Sequence, residues 1–187
     1  MSKILFDIVW IMRNEAIVLP RLLRSLEEFR KRGGKCYALD TGSIDDSVKI
    51  CKDWGVTVVE VGEKYLHTIN KDLAEKINER FVVDDEEPIV KEGYKYFDFA
   101  SARNEAASLA SNNWVSFIDA DEVFTSLNVD ELNKIIENEP DVDNFLYDFV
   151  FSHREDGAPA IAFNQSKMYN KTKMRWVNSV HEVLQRI

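Results

Sequence analysis

Trp114-Val-Ser-Phe-Ile-Asp-Ala-Asp-Glu122 is a mostly apolar run that ends abruptly in carboxylates. Residues 114–118 read as a strand of an α/β sheet, because a strand covered on both faces needs side chains that tolerate burial throughout. Side chains two apart on an extended chain point the same way, so Asp119 and Asp121 are expected to converge on one spot. Like charges that close, at a partly desolvated sheet end, call for a cation or a shared proton. Mg²⁺ is commonly held by one or two carboxylates plus substrate phosphates. Ligands of open α/β sheets bind at the carboxyl ends of strands, where this pair sits. A candidate metal site therefore stands against the plainer reading of a strand followed by a solvated acidic turn.

Around this stretch, strand and helix signals alternate. Asp7 to Met12 reads as a first strand. Leu19, Leu22, Leu23 and Leu26 mark one face of a helix that ends before Gly33-Gly34. Cys36 to Leu39 is a second strand, and Ser43-Ile-Asp-Asp46 looks like a capping box opening a helix to Trp54. Val56 to Val61 is a third strand, and Phe99 to Ser111 is helical. After the acidic strand come a helix over Val129 to Asn138 and strands over Asn144–Phe151, Ala160–Phe163, Lys167–Asn170 and Met174–Val177. Alternation first and paired strands later indicate a mostly parallel sheet flanked by helices, with antiparallel C-terminal strands. Residues 62–97 fit this order badly. They hold a helix built on Ile69, Leu73 and Ile77, then the acidic run Asp84-Asp-Glu-Glu87, read as a solvated loop or part of a flap over a site.

With 187 residues the chain suffices for one α/β domain with a full core. Its 33 acidic and 24 basic side chains give a net charge of −9, which argues against nucleic acid or an anionic membrane as main partner. Cys36 and Cys51 read as two buried, reduced thiols, which suits a cytoplasmic compartment. No segment approaches the ~20 apolar residues of a membrane span, and Asp7 interrupts the N-terminal apolar run against a secretory pattern.

Other residues carry chemistry. Asp40-Thr-Gly-Ser-Ile-Asp-Asp46 lies where the second strand gives way to its helix; Gly42 permits a sharp turn, and Asp40 can accept hydrogen bonds from a nucleobase or ribose, or simply hold the turn. Arg103, in Ala102-Arg-Asn-Glu105, falls in or near a helix's first turn, where the macrodipole disfavours a cation unless an anionic ligand offsets it. Asn14-Glu15 and His181-Glu182 are each weak alone.

In their order, Asn14-Glu15, Asp40-Thr-Gly-Ser-Ile-Asp-Asp46, Ala102-Arg103-Asn104, Phe-Ile-Asp119-Ala-Asp121 and Val-His181-Glu182 resemble the family 2 glycosyltransferases of GT-A (Rossmann-like) fold. The resemblance covers about Ile8 to Glu182, with 62–97 as an insertion. It implies a single domain over 1–187, with a nucleotide-sugar half (1–125) and a shorter acceptor half (126–187). It also implies inverting transfer of a sugar from a nucleotide-diphosphate donor, a UDP-sugar foremost, to a hydroxyl on a carbohydrate, protein or lipid-linked acceptor. By the same likeness Asn14, Glu15, Asp40, Gly42, Arg103, Asn104 and Asp119 would bind the nucleotide. Asp121 and Asp119, with His181 as a third, would ligate Mn²⁺ or Mg²⁺. Glu182 is the candidate base, with Glu155 and Asp156 as fallbacks. One rival is a haloacid-dehalogenase-like phosphatase, whose D-x-D-x-V string Asp119 to Val123 also matches, but three strand units precede it here. Another is a domain of the same fold that binds a sugar nucleotide or a partner without turnover.

Overall fold

The computed structural model describes residues 3–81 and 87–187. Residues 84–86 of the acidic run lie outside them. The first half alternates as expected: β1 (Phe6–Met12), α1 (Leu19–Ser25), α2 (Glu27–Lys31), β2 (Cys36–Asp40), α3 (Ser47–Trp54) and β3 (Thr57–Glu60). The helix expected over 19–32 is two short helices, broken at Leu26. Next come β4 (Leu66–Thr68), α4 (Lys71–Phe81), β5 (Lys95–Phe97), α5 (Phe99–Leu109), β6 (Trp114–Phe117) and α6 (Val129–Asn138). The chain closes with β7 (Asn144–His153), β8 (Pro159–Asn170), β9 (Met174–Val177) and β10 (Val183–Arg186).

Six strands form the central sheet in the order β3-β2-β1-β6-β8-β7. The first four run parallel, and β8 joins β6 antiparallel with β7 beside it. This is the mostly parallel sheet with antiparallel additions that the alternation implied. The two late strands expected at 160–163 and 167–170 are one strand, β8, and β10 pairs with β9 in a small ladder that the sequence reading omitted. In the 62–97 segment, β4 and β5 pair antiparallel at the two ends of α4.

Alternation along β1 divides the core. Phe6, Ile8, Trp10 and Met12 pack with Leu19, Leu22, Leu23 and Leu26 of the α1 region. On the opposite face Val9, Leu39, Val115 and Phe117 meet Ala100, Ala102, Ala106 and Ala107 of α5. Small alanines let α5 lie close to the sheet, and Arg103 between them lies over Phe117, the last residue of β6. Asp7 sits in the apolar strand yet is buried, because Ser111 Oγ, Asn112 N and Asn112 Nδ2 all donate to it at 2.8–3.1 Å. Among the described residues no helix is long and apolar enough to cross a membrane.

Candidate active site

The carboxyl ends of β1, β2 and β6 lie side by side, with Asp40 closing β2, and the loops leaving them carry Asn14, Glu15, Gly42, Asp119 and Asp121. The first two loops are stitched together. Asn14 N donates to Ser43 Oγ (2.9 Å), Ile44 N to Asn14 Oδ1 (2.8 Å), Glu15 N to Ser47 Oγ (2.7 Å) and Ala16 N to Asp45 Oδ2 (3.1 Å). Ser43 and Asp46 therefore do not form the expected capping box. No side chain caps α3, and Asp45 instead accepts from Ser47 N. Gly42 has φ +103°, a conformation that a Cβ would strain. Asp40 is 3% exposed and accepts from Gly42 N and Ser43 N at 3.2 Å, so its carboxylate holds the turn.

Beyond β6 the chain turns instead of staying extended. Glu122 N donates to Asp119 O at 3.0 Å, and this turn undoes the expectation that Asp119 and Asp121 converge. Asp119 points into a buried charge cluster, whereas Asp121 is exposed and its backbone carbonyl accepts from Arg21. Asp121 does lie close enough to Glu15 to help raise the Glu15 carboxyl, after burial and ahead of Asp45.

The cluster has Arg103 at its centre. Nη2 is 3.1 Å from Asp119 Oδ1, and Nε is 2.8 Å from Glu182 Oε1. The guanidinium lies 4.2 Å from the ring centre of Phe117 and 5.0 Å from that of Trp176. Its side chain is 9% exposed, yet Nε and Nη1 lack a well-aligned hydrogen bond among the described residues. Arg103 is the fifth residue of α5, beyond the first turn, and Asp98 already caps that end by accepting from Ser101 N. The charge it answers is thus that of Asp119 and Glu182, not the helix dipole.

Lys167 completes the group, with Nζ 2.5 Å from both Asp119 Oδ2 and Glu122 Oε1. Burial pushes the Asp119 carboxyl up, but Arg103 and Lys167 together outweigh it and hold the group below its ordinary value. Burial pushes the Glu122 carboxyl above its ordinary value, against Lys167 and the Asp119 N–H that donates to it at 3.1 Å, with the Asp119 charge adding to the rise. Tyr147 lies beside the cluster, its hydroxyl pushed up by burial and then by Glu122 and Asp119. Lys167 and Glu122 escaped the sequence reading. The available signal was a lysine inside an apolar strand segment, Lys167-Met-Tyr169, and a third carboxylate directly after Asp121.

Other expected residues lie elsewhere. Asn104 Nδ2 donates to Trp176 O (2.8 Å) and its Oδ1 accepts from Trp176 N (2.9 Å), so its amide docks α5 on β9. Glu155 and Asp156 sit exposed at the tip of the β7–β8 hairpin, where Asp156 Oδ1 accepts from Ala158 N. Both lie beyond the end of β7, and neither forms an ion pair with the cluster among the described residues. His181 is exposed with φ +55°. Among the described residues no three His, Cys, Asp or Glu side chains form a ready metal site. Asp119 could ligate a metal only by giving up its cations. Asp121, whose side chain forms no ion pair with a described residue, suits a hard cation that draws its remaining ligands from phosphates.

Known proteins resemble this chain at several levels. A TPR repeat-containing protein of Synechococcus elongatus is 32% identical over 112 residues, which span 60% of this chain and 19% of that protein. The chain thus corresponds to about a fifth of that relative's length. Residues 1–349 of Staphylococcus aureus TarS in complex with UDP superpose with a TM-score of 0.48 and 15% identity, over 80% of this chain and 35% of that one. A mannosyltransferase from Pyrobaculum calidifontis in complex with GDP-Man and Mn²⁺ gives 0.46 and 17%, over 76% and 35%. The model of the glycosyl transferase family 2 matches residues 67–184, so the match begins within the segment read as an insertion and takes in α4. That match spans more than half of the sequence and includes Arg103, Asp119, Asp121 and Glu182: the chain belongs to glycosyl transferase family 2.

Proposed function

We propose that this chain transfers a sugar from a nucleotide-diphosphate donor, UDP-linked in the first instance, to a hydroxyl acceptor, with inversion and with help from Mn²⁺ or Mg²⁺. The observation that carries the reading is Arg103. It is a buried guanidinium over Phe117 at the carboxyl end of a parallel sheet, ion-paired with Asp119 and Glu182, with its Nη1 lacking a hydrogen-bond partner among the described residues. Such a group suits the oxygens of a diphosphate leaving group, because charge-assisted bonds formed out of water are strong. Asp121 would hold the cation together with the donor's phosphates, and the cation would stabilise the negative charge that develops as the sugar–phosphate bond breaks. Asp40 and the stitched Asn14–Ser43 loops would receive the nucleoside. Glu182 would take the acceptor's proton as general base.

Calorimetry of UDP binding, with Mn²⁺ and with chelator, tests the donor half of this reading. Binding that needs metal in the wild type, and that Asp121→Asn makes weak and metal-insensitive, is the expected result. Equal UDP affinity with and without chelator would remove the metal role of Asp121.

A further inference from the structure

The charge cluster already holds a cation of its own. Lys167 is 7% exposed, and its Nζ touches Asp119 and Glu122 at equal distance. Pairing between β7 and β8 slips beside it: Phe145 faces Met168 while Tyr147 faces Gln165, so β8 carries an extra residue between them. Bulges of this kind re-aim a side chain out of the ladder. Arg103 and Lys167 stand against Asp119, Glu122 and Glu182, one positive charge short of balance. Without Lys167, two carboxylates would share a partly desolvated space, which is the arrangement that recruits a hard divalent ion. Replacing an ammonium at 2.5 Å by an ion that prefers oxygens at about 2.0–2.1 Å asks each oxygen to move only a few tenths of an ångström.

We propose that Lys167 is a resident counter-ion that bars divalent metal from the Asp119–Glu122 pair, so that metal enters this site only with the donor's phosphates, through Asp121. The second half rests on the proposed transferase reading; the exclusion of bare metal is a property of these side chains alone. Lys167 thereby sets which carboxylate meets the metal and makes metal binding conditional on nucleotide.

The test uses Mn²⁺ alone, without nucleotide, on the full chain, with free Mn²⁺ read by paramagnetic resonance and thermal midpoints read alongside. Wild type and Lys167→Arg should bind no Mn²⁺ below the millimolar range. Lys167→Met should bind it at least about tenfold more tightly and gain thermal stability on adding it, since an ion that binds only the folded form raises the midpoint. Lys167→Gln keeps donors without the charge and should behave as Lys167→Met does. Adding Glu122→Gln to Lys167→Met should abolish the gain. Wild type binding bare Mn²⁺ as tightly as Lys167→Met would overturn the proposal. So would Met and Gln variants whose midpoints Mn²⁺ does not raise, or a gain that survives Glu122→Gln. Failure of wild type to bind UDP with Mn²⁺ would instead sink the transferase reading and leave this result intact.

Discussion

Removing the guanidinium of Arg103 tests the whole arrangement at its centre. Arg103→Met keeps most of the side chain's length but deletes the charge. Glu182, with a side chain 15% exposed, then loses its ion pair, and Asp119 keeps only Lys167. Breaking a buried pair costs about 3–5 kcal/mol. Asp119 is about a third exposed and retains a partner, which places this case near the lower end, at about 3 kcal/mol. For a domain of this size that is a fall in Tm of roughly 6–12 °C. Urea denaturation of Arg103→Met, Glu182→Gln and the double variant supplies the check. Neutralising Glu182 removes the stranded charge, so the double variant should recover about 1–2 kcal/mol relative to the sum of the singles. Additivity within about 0.5 kcal/mol would mean that the two side chains do not interact, and the assignment of Arg103 to Glu182 would fall.

Asn104→Leu should destabilise the fold by roughly 2–4 kcal/mol in the same assay, since two backbone groups of Trp176 lose their partner, while nucleotide affinity of the folded fraction stays put. Weakened nucleotide binding at full stability would return Asn104 to the ligand site. The lowered Asp119 carboxyl contributes stability that is complete above its unfolded value near 3.8 and is lost as pH falls through its lower folded value. Asp119→Asn should therefore flatten the acid limb of a stability–pH curve below about pH 4, and an unchanged limb would contradict the pairing. Burial pushes the Cys36 and Cys51 thiols up to about 12, so a thiol reagent at neutral pH should modify them only as fast as the chain unfolds. Prompt labelling of the native chain would refute that.

The parallel half of the fold was legible because β1, β2 and β6 are buried along almost their whole length and α1 and α5 carry leucine and alanine stripes, each of which leaves a pattern in the sequence. β10 was missed because Val183–Arg186 is half polar and its apolar pattern is weak. Asp119 and Asp121 were read as a pair from strand alternation, and the reading failed where the strand did: the turn from Asp119 to Glu122 rotates the carboxylates apart. Arg103 was legible as an oddity, a cation among alanines, but its partners were not. Glu182 lies 79 positions further along the chain, between β9 and β10, and the docking of that ladder on α5 brings the two together. Lys167 needed a bulge to reach the site, and no periodicity announces a bulge.

The four hydrogen bonds that cross between the Asn14–Ala16 loop and the Ser43–Ser47 loop have a consequence for engineering and for natural variation alike. Each loop uses the other's side chains as partners for its own backbone, so the shape of each depends on the other. A change at Asn14 is felt first at Ile44, and one at Asp45 at Ala16. Substitutions here should be tolerated as matched pairs and rejected singly. Grafting one of these loops from a homologue without its counterpart should yield a misfolded rim.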